Sequence, residues 1–81
     1  MNINAKKIYL IKDLANVTGY SIHTIKYYSK LGLIREVGRS PQTNYRYFDD
    51  TTADVLKRIR QLRTENKTLS EIKEILKNEL L

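Results

Sequence analysis

Residues able to do chemistry gather in two short stretches of this chain. One is His23-Thr24-Ile25-Lys26-Tyr27-Tyr28-Ser29-Lys30; the other, after a basic loop, is Tyr45-Arg46-Tyr47. Both mix ammonium or guanidinium groups with hydroxyls and aromatic rings, the set that grips phosphates and reads base edges. His23 and Thr24, early in the first stretch, suit base edges, whereas Lys26, Tyr27 and Lys30 suit phosphates. Arg39, Tyr45 and Arg46 suit a phosphate strand or the minor groove. A third basic run, Lys57-Arg58-Ile59-Arg60, offers Lys57 and Arg60 to backbone phosphates. Each set also has a plainer reading. The first and third are ordinary solvated helix faces, and Tyr45, Tyr47 and Phe48 are packing residues. Tyr47 and Phe48 are assigned here to the core and Arg46 to function.

Other chemistries lack their residues. There is no cysteine and a single histidine, which removes disulfides, thiolate metal sites and histidine-rich zinc sites. No Walker A loop, dinucleotide glycine pattern or Ser/His/Asp set is present, so neither enzyme nor cofactor is expected. The adjacent carboxylates Asp49-Asp50 are better explained by helix capping than by acid–base work. No apolar run reaches the ~18–20 residues of a membrane span. The start, Met1-Asn2-Ile3-Asn4-Ala5-Lys6-Lys7, lacks the apolar segment of a signal peptide, which fits a cytoplasmic protein.

Charge narrows the partner. The chain of 81 residues carries a net +6. Residues 1–63 hold 12 Lys/Arg against 5 Asp/Glu, and residues 64–81 hold 3 against 4. The positive excess therefore belongs to the part with the polar stretches, and such a part attracts polyanions by counterion release.

The elements that must position these groups follow from periodicity and punctuation. Residues 1–7 read as a flexible leader, and residues 8–81 as one small domain. Ile8-Tyr9-Leu10 suits a short strand. Ile11, Leu14, Ala15 and Val17 recur at helical spacing over about 11–18, with Asp13 in the first turn and Gly19 as the stop. A second helix opens with Ser21 as N-cap. Tyr20 and Ile25 stand at the two positions of a hydrophobic staple, and Gly32 ends the helix. Ile25 and Tyr28 face inward, and His23, Lys26, Tyr27 and Lys30 face out. Two helices joined by a tight glycine turn form a helix-turn-helix.

Leu33–Val37 and Tyr45–Phe48 then read as the strands of a hairpin around the polar loop 38–44. Asp49 or Asp50 caps a third helix with the apolar stripe Val55, Leu56, Ile59 and Leu62, and Asp54 adds negative charge to its first turn. Thr68 with Glu71 forms a capping box for a fourth helix, whose buried face is Leu69, Ile72, Ile75, Leu76 and Leu80. The expected fold is mainly α, a helix-turn-helix with a small β-hairpin and a following helix pair.

This order, together with Thr18-Gly19-x-Ser21-x-x-Thr24-Ile25-Lys26-Tyr27-Tyr28, Tyr45-Arg46-Tyr47 and Leu69-Ser70-Glu71-Ile72-Lys73-Glu74-Ile75-Leu76, resembles the DNA-binding domain of MerR-family transcription regulators over about residues 8–80. The resemblance implies a winged helix-turn-helix that binds promoter DNA and distorts it. It also implies that His23, Lys26, Tyr27, Tyr45 and Arg46 are among the DNA-contacting residues. Lys26 stands where the family often has arginine, which weakens bidentate phosphate gripping. Ser29 stands where it often has an acid, Asn44 where it has a glycine, and Leu10 where it has a helix cap. Members usually continue into a dimerisation helix and an effector domain, whereas this sequence stops at Leu81, so it reads as a fragment or as a small member.

The expected function is sequence-specific binding of double-stranded DNA by a transcription regulator. A homodimer or cooperative oligomer would form on DNA, and RNA polymerase would be affected only indirectly. An excisionase-like, DNA-bending architectural factor and a protein-interaction adaptor remain as alternatives, since fold does not fix function.

Overall fold

The structure, a computed structural model, describes residues 7–79. Its elements are β1 (Ile8–Leu10), α1 (Ile11–Thr18), α2 (Ile22–Lys30), β2 (Gly38–Arg39), β3 (Arg46–Asp49), α3 (Asp50–Thr64) and α4 (Leu69–Glu79). The strands form one antiparallel sheet in the order β1-β3-β2, with Tyr9 opposite Phe48 and Arg39 opposite Arg46.

Local chemistry accounts for most boundaries. Leu10 precedes α1 and has no side-chain acceptor, so only the reverse half of a capping box forms. There Asp13 Oδ2 accepts the Leu10 amide at 3.2 Å. Gly19 ends α1 in the left-handed region (φ 78°), and its amide donates to the Ala15 carbonyl at 2.8 Å. Two residues later the Ser21 hydroxyl accepts the Thr24 amide at 3.0 Å and opens α2. Asp49 caps α3 by accepting the Thr51 amide at 2.9 Å. Its neighbour Asp50, in the first turn, instead accepts the Tyr9 hydroxyl at 2.8 Å and the Lys7 amide at 3.3 Å, which ties β1 to α3. Thr68 and Glu71 form both halves of the capping box of α4, at 3.0 and 3.1 Å.

One core joins all the helices and two of the strands. Leu14, Ile25, Phe48, Leu56, Ile59 and Ile72 are fully enclosed, with Tyr9, Tyr28, Leu62 and Leu76 beside them. Tyr20 packs on this cluster, and its hydroxyl donates to the Leu56 carbonyl at 3.1 Å. Arg58 bridges to Glu79 at 2.7 Å and joins α3 to α4 on the outside.

Several expectations need correcting. The first wing strand is Gly38–Arg39, not Leu33–Val37. Leu33 and Ile34 are adjacent and both buried, against the usual alternation of a strand with one covered face, and the pairing with β3 is made by Gly38 and Arg39. Pairing begins where the Val37 amide reaches the Tyr47 carbonyl at 2.8 Å. The same alternation puts Phe48 fully inside and leaves Tyr47 half-buried and outside the core. Val17 is exposed; the inward position one turn after Leu14 is held by Thr18, whose hydroxyl donates to the Leu14 carbonyl at 2.7 Å. The first-turn acid of α3 is Asp50, with Asp54 beyond that turn. Lys7, expected in the leader, is tied to Asp50 as above; residues 1–6, Leu80 and Leu81 lie outside the described residues.

Candidate nucleic-acid interface

α2 is pinned from below. Ile25 and Tyr28 are buried, so rotation about the helix axis is fixed, and His23, Lys26, Tyr27 and Lys30 emerge on the other side. Thr24 is half-buried at the helix start, where its hydroxyl accepts from Ser21 Oγ at 2.9 Å. The Tyr27 ring lies 6.2 Å from that of Tyr28, centroid to centroid, and stays about half exposed.

The wing is built by its turn and by one carboxylate. Asn44 adopts φ 62°, and its amide donates to the Ser40 carbonyl at 2.8 Å. The Ser40 amide in turn donates to the Tyr45 carbonyl at 2.9 Å. Tyr45 is left 62% exposed, the most open large apolar side chain among the described residues. Arg39 and Arg46 face each other across the ladder, where like charges repel. Glu36 offsets this. It accepts Arg39 Nε at 2.5 Å and Nη2 at 2.9 Å, and lies 4.0 Å from Arg46 Nε. The Arg39 hydrogen bond is the main reason that the Glu36 carboxyl is held below its usual range; it therefore stays charged and keeps the two arginines together.

α2 and the wing enclose a single groove with the start of α1. Lys12, Lys26, Lys30 and Arg46 line it with Tyr45, Ser29 and Asn44, and Glu36 is the only acid. The polar side of α2 and the wing arginine thus share one surface with a positive lining. Lys26, Lys30, Tyr45 and Arg46, expected from sequence, are brought together there. His23, Thr24, Tyr27 and Arg39 stand on the same two elements outside the groove lining. Lys57 and Arg60 are on α3, which does not line it. Arg60 is occupied internally. Its Nη1 donates to the Thr18 carbonyl at 2.9 Å, and its guanidinium stacks 4.4 Å over the Tyr20 ring. Burial is the first cause that pushes the Tyr20 phenol above its ordinary pKa.

Two groove residues escaped the sequence reading. Lys12 is the polar position beside Ile11 in the first turn of α1, and its place off the Leu14 stripe was the available signal. Glu36 was hidden inside a strand that does not form. Among the described residues, no three His, Cys, Asp or Glu side chains come together as a metal site, and no helix is long and apolar enough to cross a membrane.

Residues 9–79 match the family described as "MerR HTH family regulatory protein". The chain belongs to the MerR family. It is 32% identical over 78 residues to the "HTH-type transcriptional regulator CueR" of Bacillus subtilis (strain 168), covering 96% of this chain and 53% of that protein. It is 38% identical over 66 residues to the "Mercuric resistance operon regulatory protein" of Bacillus cereus, covering 82% and 49%. This MerR-family chain therefore spans about half the length of the curated relatives it matches. Its fold is that of a MerR-family transcriptional regulator from Bacillus cereus (TM-score 0.79, 23% identity, 86% of this chain and 52% of the other). It also superposes on HiNmlR, a MerR family regulator lacking the sensor domain, solved bound to promoter DNA (TM-score 0.80, 27% identity, 91% and 55%).

Proposed function

We propose that this MerR-family chain binds duplex DNA as a transcription regulator, with α2 in the major groove and the wing on the flanking backbone. The observation that carries this reading is the groove in which Lys12, Lys26, Lys30 and Arg46 face one surface. The promoter-bound state of HiNmlR supports it. His23 and Thr24, at the start of α2, meet base edges, because the first turns of a recognition helix enter deepest. Lys26, Tyr27, Lys30, Arg39, Tyr45 and Arg46 hold phosphates or the neighbouring minor groove, and Lys12 joins them. Lys57 and Arg60 are on α3, outside the groove lining, where Arg60 braces the turn between α1 and α2 and Lys57 is left to reach backbone phosphates. Residues 8–81 act as one unit.

The protein works by binding, without catalysis or a cofactor, and on the nucleoid. A single module makes a small DNA contact, so two copies would bind together, as a homodimer or cooperatively, and RNA polymerase would respond through the altered promoter. The named relatives are regulators, which favours this reading over an architectural factor or an adaptor.

Fluorescence anisotropy with labelled duplex over a salt series tests it. Binding should weaken steeply with salt. Lys26→Ala or Arg46→Ala should each lower the log–log salt slope by about 1. Absence of duplex binding at low salt, or binding indifferent to salt, would refute the reading.

A further inference from the structure

Among the exposed residues of α2, Ile22 is the one whose presence neither the fold nor phosphate binding explains. It is 40% exposed and is not among the half-buried apolar residues that pack on the core. It occupies the first position of the helix, where a β-branched apolar residue brings no capping or dipole benefit. Positions 22, 26 and 30 are spaced i, i+4 and i+8 and stack along one side of α2, and Lys26 and Lys30 on that side line the basic groove. Ile22 therefore forms an apolar head on a cationic stripe, at the end of the helix that enters deepest into a major groove. In that groove the C5-methyl of thymine is the distinctive apolar mark among the four bases.

We propose that Ile22 is a specificity-determining residue that packs on a thymine C5-methyl group. The proposal rests on the DNA reading above. His23 and Thr24 supply polar contacts beside it, and Ile22 selects a T·A pair at one position of the site. The contact adds discrimination without charge, so it leaves the salt dependence to Lys26 and Lys30.

The test removes a single methyl group from the DNA. Duplex sites are selected from a random library by the unmodified chain, and each thymine is replaced in turn by deoxyuridine. One replacement should weaken binding about fourfold, the fold-change equivalent to about 0.8 kcal/mol for one buried carbon. Ile22→Ala should bind thymine DNA about that much more weakly and should lose nearly all sensitivity to the same replacement. Ile22→Val should keep part of it. The salt slope should be unchanged in both variants, because Ile22 carries no charge, and binding is read at a temperature where both are folded, since Ile22 is only 40% exposed. The methyl contact is overturned if no uracil replacement matters, or if the replacement costs the Ile22→Ala variant as much as the unmodified chain. Failure of any duplex to bind would instead overturn the DNA reading and the methyl contact with it.

Discussion

Arg60→Ala separates the brace seen in the structure from the phosphate contact expected from sequence. Arg60 makes a charged hydrogen bond to the Thr18 carbonyl at 2.9 Å and covers the Tyr20 ring at 4.4 Å. Hydrogen bonds from charged groups are worth about 1.5–3 kcal/mol, and solvent screening at this exposed side chain brings the bond below that range, to about 1 kcal/mol. Stacking over an aromatic ring at an exposed site adds about 0.5 kcal/mol. The total, about 1.5 kcal/mol, corresponds to a fall in Tm of roughly 6–12 °C for a domain of this size. Arg60→Lys keeps the charge but loses the planar fork, so it should suffer most of the same fall.

Thermal unfolding followed by circular dichroism measures the brace. Anisotropy at a temperature where every variant is folded measures the contact. If Arg60 acts through the turn, both variants melt earlier and keep the salt slope. A Tm within about 2 °C of the unmodified chain, combined with a slope lower by about 1, would refute the brace and return Arg60 to the phosphates.

Two further perturbations probe the cap of α4 and the turn of the wing. Thr68 holds the Glu71 carboxyl below its ordinary pKa, mainly through its backbone N–H and then through its side chain. The folded value is depressed, so this stabilisation is complete above the unfolded carboxyl pKa of about 4.3 and is lost as pH falls through the folded value. Acid melts should therefore show Glu71→Gln losing less stability than the unmodified chain on going from neutral pH to about pH 3, and equal losses would contradict the capping box. In the wing, Asn44 sits at φ 62°. Asn44→Gly should be close to neutral, whereas Asn44→Val should cost about 1–2 kcal/mol and lower Tm accordingly; an unchanged Tm for the valine variant would mean that the turn tolerates another conformation.

Much of the fold was legible because its signals are short-range. Ser21 before α2, the Thr68–Glu71 pair before α4 and Gly19 after α1 each act within a few residues, so their chemistry is present in the local string. The stripe of Leu56, Ile59 and Leu62 needed only helical periodicity. Composition is ambiguous where two arrangements share it. Leu33–Val37 has strand-like residues, but Leu33 and Ile34 both turn inward, and Val17 and Thr18 exchange the places that hydrophobicity alone would assign them. The wing was legible as a hairpin around the polar loop 38–44, yet its first strand, Gly38–Arg39, lies within that loop, because its place depended on where the chain meets β3.

By itself, then, the sequence determined which residues carry charge and hydroxyls, where the helices open and close, and that α2 turns a basic side outward. Tertiary structure alone decided that Lys12 on α1, Lys26 and Lys30 on α2 and Arg46 on β3 line one groove. It also decided that Glu36 holds the wing arginines together, and that Arg60 reaches the turn 42 residues before it. The physical reason is range. A cap or a helical stripe is made by neighbours along the chain, whereas the angle between α2 and the wing is set by Phe48, Ile25, Leu14 and Leu56 meeting in one core from four separate elements.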